Sequence, residues 1–171
     1  RKFIEFFLKI KIWEARNILK LSLNFLASHL SYHGGSDPYV TIRLKSQDKK
    51  DVQKTQAIRH STDPIWNQEF DIICSDPNDI LVINMYDTDI KNDDKMMDEL
   101  EFPVSTWPVG GFFDRKELDV DLGKKNAGKF IFEAQSFPAK PGWDSCKTNQ
   151  CKMNIKAFDA RDVLKMDVGG K

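Results

Sequence analysis

The chain of 171 residues lacks three features that would place it in a specialised class. It has only three cysteines, too few to cross-link a small secreted scaffold. No apolar run approaches the ~20 residues that a membrane-spanning helix needs. Basic and acidic side chains balance at 26 each, so there is no overall basic excess of the kind that marks nucleic-acid-binding proteins. With 40% hydrophobic residues, the composition is typical of a globular domain with a substantial core.

The zero net charge conceals three blocks of different sign. Residues 1–60 carry twelve basic and five acidic side chains, a net charge of +7. Residues 61–122 carry four basic and sixteen acidic side chains, a net charge of −12. Residues 123–171 return to +5, with ten basic and five acidic side chains. An acidic block in the middle of a chain either solvates a surface or gathers a cation.

Most of the chain alternates apolar and polar side chains with a period of two, which predicts β-strands. One segment, 80–86, is instead an almost continuous apolar run, as a central strand would be. Turns rich in Gly, Pro, Asn and Asp separate the segments. Eight segments together predict an all-β, eight-stranded antiparallel sandwich: 6–12, 40–44, 55–58, 66–73, 80–86, 99–104, 117–122 and 129–134.

Residues 18–34 depart from this pattern and predict a short amphipathic helix inside the first long loop. The same stretch also alternates with a period of two from 19 to 25, so a strand is the open alternative. The helical interpretation is based on four leucines at the spacing i, i+4, i+7 and i+11: Leu19, Leu23, Leu26 and Leu30.

Residues 153–167 repeat the sequence of residues 8–22 without a gap. The segment between the two copies, 135–151, holds two prolines and little periodicity, as linkers do. The repeat predicts a tandem array with a first domain at 3–138, a linker at 139–151 and the truncated start of a second copy at 152–171. Six of the fifteen aligned positions are identical: Ile10, Lys11, Ala15, Arg16, Leu19 and Lys20.

A group of carboxylates directly follows the apolar segment 80–86. Asp87 and Asp89 begin it, and Asp93 and Asp94 end it. Oxygen ligands on a loop suit calcium, which accepts irregular coordination by six to eight oxygens, better than magnesium. A further carboxylate, Asp37, comes just before the strand 40–44. The other interpretation of the acidic loop is a solvated surface with no bound ion.

Five short motifs follow one another over residues 3–137: Glu14-Ala-Arg-Asn-Ile18, Ser36-Asp-Pro-Tyr-Val40, Lys54-Thr-Gln56, Thr62-Asp-Pro-Ile-Trp-Asn-Gln-Glu-Phe70 and Met85-Tyr-Asp-Thr-Asp89. In this order they resemble the C2 domain family. Residues 152–171 resemble the opening of a second C2 domain. The resemblance implies the type II circular permutation of the eight-stranded sandwich, with a calcium and lipid site formed by three loops at one end.

The resemblance also implies a set of calcium ligands, and this chain departs from that set. Where the family has the first aspartate of its first loop, this chain has Ser22, which aligns with Asp167 of the second copy. We therefore expect at most one weakly bound Ca²⁺ ion, and a calcium-independent domain is the alternative. A glycine usual after the third loop is replaced by Asp98. The ligands carried over are Asp37, Asp87, Asp89 and either Asp94 or Asp93.

Two groups of residues are candidates for contact with lipid. Phe25, Leu26 and Leu30 lie at the presumed membrane-facing end, where they would enter a bilayer or fold back over the sandwich. Lys45 and Lys54, with neighbouring cations, would bind anionic headgroups on a concave face, although two aspartates dilute this basic run.

No nucleophile paired with a base and no glycine-rich phosphate loop is recognisable, so we expect a binding module and not an enzyme. The resemblance implies a phospholipid-binding, weakly calcium-dependent C2 module in a tandem-C2 protein of membrane trafficking or exocytosis. Such a protein would be cytoplasmic and peripheral to anionic membranes, with other C2 domains or a protein as further partners and no nucleic acid. The alternative is a calcium-independent C2 domain that serves protein–protein interaction or acts as a spacer.

Overall fold

The computed structural model describes residues 6–19, 36–88 and 93–138, except for the side chain of Lys49. The chain divides into two units, Arg1–Pro141 and Gly142–Lys171, and all described residues belong to the first. The expected second copy at 152–171 lies outside the described residues. So do positions 20–35, on which most of the expected loop helix falls.

The described residues form nine strands and two short 3-10 turns, at Lys49–Asp51 and Val104–Thr106. No helix in this part of the chain is long and apolar enough to cross a membrane. The strands are β1 (Phe6–Arg16), β2 (Pro38–Leu44), β3 (Gln53–Lys54), β4 (Ile65–Cys74), β5 (Ile80–Asp87), β6 (Asp94–Lys95), β7 (Leu100–Pro103), β8 (Asp114–Leu122) and β9 (Lys125–Pro138).

The strands pair antiparallel in two sheets, which confirms the expected β-sandwich. The first sheet has the order β4-β1-β9-β8, so the first and last strands are neighbours. The second has the order β3-β2-β5-β6, and β7 also pairs with β5. The short strands β6 and β7 follow each other along β5, with β6 at the end near Asp87 and β7 at the end near Ile80.

Seven of the eight predicted segments overlap observed strands, and the prediction for 55–58 is wrong. The strand there is β3, two residues earlier, while 55–58 runs beside β2 without continuing the ladder. The physical reason is Thr55, whose side-chain hydroxyl accepts the backbone N–H of Val40 at 2.9 Å. β6 was not predicted because two residues are too few to show an alternation.

The core lies between the sheets and is filled by the inward-facing side chains of the alternating strands. Phe130 and Phe132 are fully buried at its centre. The Trp66 ring meets Phe130 edge-on at 6.4 Å, and Trp107 meets Phe132 in the same way at 6.3 Å. Each such ring contributes about 1.5–3 kcal/mol by burial alone. Phe102 of β7 packs on Phe132 of β9 at 5.4 Å, an aromatic contact that joins the two sheets.

The hairpin between β8 and β9 supports the end of β1 through a close approach of backbone atoms at Gly128. A Cβ atom at this position would lie 2.4 Å from the carbonyl oxygen of Arg16. The backbone φ of Gly128 is +105°, which side chains rarely tolerate. Only glycine therefore allows β9 to pack against the point where β1 ends and the first loop begins.

Gly128→Ala should destabilise the domain by about 3–5 kcal/mol, because it combines a strained backbone with a collision against backbone atoms. Chemical denaturation followed by circular dichroism measures the change. Gly123→Ala is the matched control: its φ is +64°, but nothing lies within 4 Å of an added Cβ. The control should lose only about 1–2 kcal/mol. Equal losses in the two variants would contradict the close-approach explanation.

Candidate functional site

Four acidic residues from three separate segments lie at one end of the sandwich, here called the acidic tip: Asp37, Asp87, Asp93 and Asp94. Strand pairing places them there. β5 ends at Asp87, which pairs with Pro38 of β2 on one side and with Asp94 of β6 on the other. Residues that are distant in the sequence therefore meet because their strands end at the same edge.

Two direct hydrogen bonds join the loops that carry Asp37 and Asp87. The backbone N–H of Asp37 donates to Oδ1 of Asp87 at 2.7 Å. The backbone N–H of Thr88 donates to the carbonyl oxygen of Asp37 at 3.2 Å. The reciprocal pair fixes the positions of Asp37 and Asp87 relative to each other.

The side chain of Asp37 is engaged by His60, a residue to which the sequence assigned no role. The backbone N–H of His60 donates to Oδ1 of Asp37 at 2.8 Å. The imidazole Nδ1 of the same residue lies 3.6 Å from this oxygen. Both the backbone N–H and the ring nitrogen of His60 therefore contact Oδ1 of Asp37, an expected metal ligand.

The side chain of Asp93 is engaged by Tyr39, whose hydroxyl donates to Oδ2 of Asp93 at 2.5 Å. The Tyr39 ring stacks on Tyr86 at 5.7 Å, and the Lys54 Nζ lies 5.8 Å from its centre. Burial raises the pKa of the Tyr39 hydroxyl above its ordinary value, and the hydrogen bond to the Asp93 carboxylate and its charge raise it further. The hydroxyl therefore stays protonated and keeps donating to Asp93.

Beside the acidic tip, Asp63 holds the point where the first loop leaves β1. Its Oδ1 accepts the backbone N–H of Asn17 at 2.9 Å, and its Oδ2 accepts the hydroxyl of Thr62 at 2.9 Å. These two hydrogen bonds, first the one from Asn17, lower the pKa of the Asp63 carboxyl. Asn17 has a φ of +52°, a left-handed conformation that asparagine tolerates.

Asp98, in the position where the family usually has glycine, ties the segment after the third loop to the hairpin between β8 and β9. Its Oδ2 accepts the backbone N–H of Gly123 at 2.9 Å, and its own N–H donates to the carbonyl oxygen of Asp121. Its backbone φ is not positive, so the conformation here does not require glycine. The departure from the family pattern is thus accommodated without strain.

The donor chemistry of the acidic tip fits calcium, but the described residues do not converge as a finished site. In the described ranges no three acidic, histidine or cysteine groups come together to hold a metal ion. Asp37, Asp87 and Asp93 each already give one oxygen to a protein N–H or O–H. Calcium binding would have to use the other carboxylate oxygens or displace these bonds. Asp89, the remaining expected ligand, lies outside the described residues.

The structure separates the residues expected to contact lipid. Lys54, on β3, pairs with Thr41 and lies beside Tyr39 near the acidic tip. Lys45 follows the other end of β2 and forms an ion pair with Glu101 at 2.7 Å. Phe25, Leu26 and Leu30 lie outside the described residues.

The sequence indicated only weakly that Tyr39 belongs to the functional site. It assigned no functional role to His60 or Asp63. Tyr39 belongs to the Ser36-Asp-Pro-Tyr-Val40 motif, where alternation places it on the outer face of β2. His60 lies outside the family motifs, and Asp63 belongs to the Thr62–Phe70 motif, which indicated the family but not a contact. The contacts of both residues depend on how the loop folds over Asp37 and Asn17.

The Asp63→Ala variant should be less stable than the wild type by up to about 1 kcal/mol, a small effect because the carboxylate is exposed. Because folding lowers the pKa of Asp63, its stabilising effect should be complete at neutral pH. It should disappear at acidic pH, as the pH falls below the ordinary range of an aspartate and through the lowered pKa. Urea denaturation at several pH values, with Asp119→Ala as a control, measures this. A stability difference that persists at pH 2 would contradict it.

The chain is similar in sequence to parts of known proteins. The chain is 30% identical over 125 residues to cytosolic phospholipase A2 delta of Mus musculus, a match that covers 67% of this chain and 14% of that enzyme. It is 32% identical over 90 residues to a protein of Arabidopsis thaliana named calcium-dependent lipid-binding protein, covering 52% and 16% of the two chains. The chain therefore spans less than a fifth of the length of either relative.

The fold also matches a solved structure, a C2 domain of plant Extended Synaptotagmin 1. The TM-score is 0.67 at 25% sequence identity, over 82% of this chain and 100% of that one. The sequence profile described as C2 domain, a non-catalytic module, matches residues 7–120. With that match covering most of the described sandwich, the chain belongs to the C2 domain family.

Proposed function

We propose that this C2 domain is a non-catalytic module that docks on anionic phospholipid membranes through its acidic tip, with a weak dependence on calcium. The observation that carries the proposal is the hydrogen bond from Asp37 to Asp87, which brings acidic loops fifty positions apart into contact. An arrangement of this kind collects negative charge at one end of a neutral molecule.

The negative charge of the acidic tip is the basis of the proposed regulation of membrane binding by calcium. Without a cation, its carboxylates repel a negatively charged lipid surface. A bound calcium ion would supply positive charge and coordination positions for lipid phosphate. Asp37, Asp87 and Asp94 would hold it, with Asp93 and Asp89 as further donors. Because His60 and Tyr39 already engage Asp37 and Asp93, the affinity should be low, with at most one ion.

Lys54 would add a calcium-independent component to docking. Its ammonium group lies near the Tyr39 ring beside the acidic tip, within reach of a surface that the tip contacts. A cation near an anionic leaflet contributes about 1 kcal/mol. Lys45 should contribute less, because Glu101 neutralises it at the other end of β2.

The similarities to Extended Synaptotagmin and to a protein named for calcium-dependent lipid binding support a role in a tandem-C2 protein of membrane trafficking. The repeat at 153–167 supports the same role, because it predicts a second domain after the linker. We accordingly propose a peripheral membrane location on the cytoplasmic side.

A calcium-independent C2 domain that binds a protein or acts as a spacer is the second candidate. The Asp37–His60 contact favours it, because the first-loop aspartate is already occupied within the protein. Ser22, in place of a second carboxylate, favours it too.

Removal of two carboxylates at the acidic tip distinguishes the candidates. The double variant Asp37→Asn, Asp87→Asn should bind phosphatidylserine-containing vesicles at least about tenfold more weakly in calcium than the wild type, because loss of two charged ligands abolishes ion capture. Co-sedimentation with calcium or chelator measures this, and calorimetry should count at most one ion.

The matched control is Asp48→Asn, which removes an exposed carboxylate beyond Leu44, at the end of β2 away from the acidic tip. It should bind vesicles like the wild type. Wild-type binding that is equal in calcium and in chelator would refute the calcium dependence and favour the second candidate.

A further inference from the structure

The loop that joins β7 to β8, here called the 104–113 loop, exposes large apolar side chains, of which, in the described part of the domain, only Phe113 rests partly on another ring, that of Phe137. The Phe112 side chain is 96% exposed, Phe113 is 48% exposed and Val109 is 45% exposed. Exposed aromatic rings grouped at a loop tip are unusual, since water contact costs them free energy that burial would recover. The acidic tip makes no use of this loop.

The 104–113 loop lies at the end of the sandwich opposite the acidic tip. β5 runs from Ile80 to Asp87, and β7 pairs with its first half, with Pro103 opposite Ile80. Asp87, at the other end of β5, belongs to the acidic tip. Eight residues of strand separate the two ends by roughly 25 Å.

The conformation of the loop is held by the rest of the domain. Trp107 is buried and packs against Phe102 and Phe132 of the core, at 5.6 and 6.3 Å. The N–H of Gly110 donates to the carbonyl of Ser136 at 2.9 Å, and the Gln135 amide donates to the carbonyl of Gly111 at 2.5 Å. The exposed rings are thus presented by a fixed backbone, which reduces the entropy lost on binding.

The 104–113 loop carries no charge of its own, unlike the acidic tip. None of the ten residues from 104 to 113 is charged. The next three residues are Asp114, Arg115 and Lys116, with one net positive charge, and Lys116 neutralises Asp114 through an ion pair at 2.7 Å. At its start the loop borders Asp79, whose carboxylate is hydrogen-bonded within the protein. An uncharged apolar loop enters a lipid interface without the cost of taking a charge with it.

We propose that the 104–113 loop is a second membrane-contact site, which inserts Phe112 and Phe113 into the bilayer interface without calcium. The shape of the loop favours a bilayer over a protein. A ring that is almost wholly exposed projects from the domain and forms no pocket for a protein partner, whereas a bilayer interface accommodates a projecting ring without a pocket. This site is independent of the acidic tip and goes beyond the function proposed above.

Flotation of the full 171-residue chain with phosphatidylcholine vesicles, containing a minor fraction of phosphatidylserine and an excess of chelator, tests the proposal. The wild type should float with the vesicles. Phe112→Ser should bind about tenfold more weakly, because it removes a large apolar side chain from the interface. Its thermal unfolding should match the wild type, since the ring makes little contact with the protein.

A single variant serves as the control. Ile65→Ser removes an apolar side chain on β4 that is 64% exposed and lies opposite Glu14, near the other end of the sheet, and it should bind within about twofold of the wild type. Every sample contains chelator, so failure of calcium-dependent docking would leave the result unaffected. A wild type that stays with the soluble fraction, or a Phe112→Ser variant that floats as well as the wild type, would overturn the proposal.

Discussion

The pairing of β2 with β5 is the constraint on which the functional geometry depends. Seven consecutive residue pairs, from Pro38 opposite Asp87 to Leu44 opposite Leu81, set the register of two strands that are distant in the sequence. A shift of one residue would turn every outward side chain of β2 inward. The register therefore determines both the core and the meeting of Asp37 with Asp87, so that folding of the sandwich assembles the acidic tip at the same time.

The strands that carry the core were predictable from the sequence. Burial of one face of a strand requires every second side chain to be apolar, and this alternation is visible in the sequence. β2 shows it without interruption, and β1 shows it as far as the register shift after Ile12. β5 shows the continuous apolar run of a strand covered on both faces. Thr55 illustrates the limit of this signal: its hydroxyl takes a backbone N–H that a strand would have used, and nothing in the local pattern reveals this competition.

The acidic tip was predictable to a similar extent. Which aspartates meet follows from strand ends and from the family motifs, and the structure brings Asp37, Asp87, Asp93 and Asp94 to one end. What each carboxylate does there depends on neighbours that only the fold supplies. His60 and Tyr39 approach from other segments of the chain. Each forms a hydrogen bond with one carboxylate oxygen of a candidate ligand, His60 with Asp37 and Tyr39 with Asp93. The ion pair between Lys45 and Glu101 is another contact that depends on the fold and could not be predicted from the sequence composition.

The antiparallel ladders have a mechanical consequence. β5 and its neighbours run from the acidic tip to the 104–113 loop, with their hydrogen bonds perpendicular to that direction. A force applied between the two ends therefore pulls along the strands and loads many hydrogen bonds together in shear. A force across the sheet would instead break the hydrogen bonds one after another. Trp107, which is packed in the core, would pass part of that tension from the loop into the interior of the sandwich.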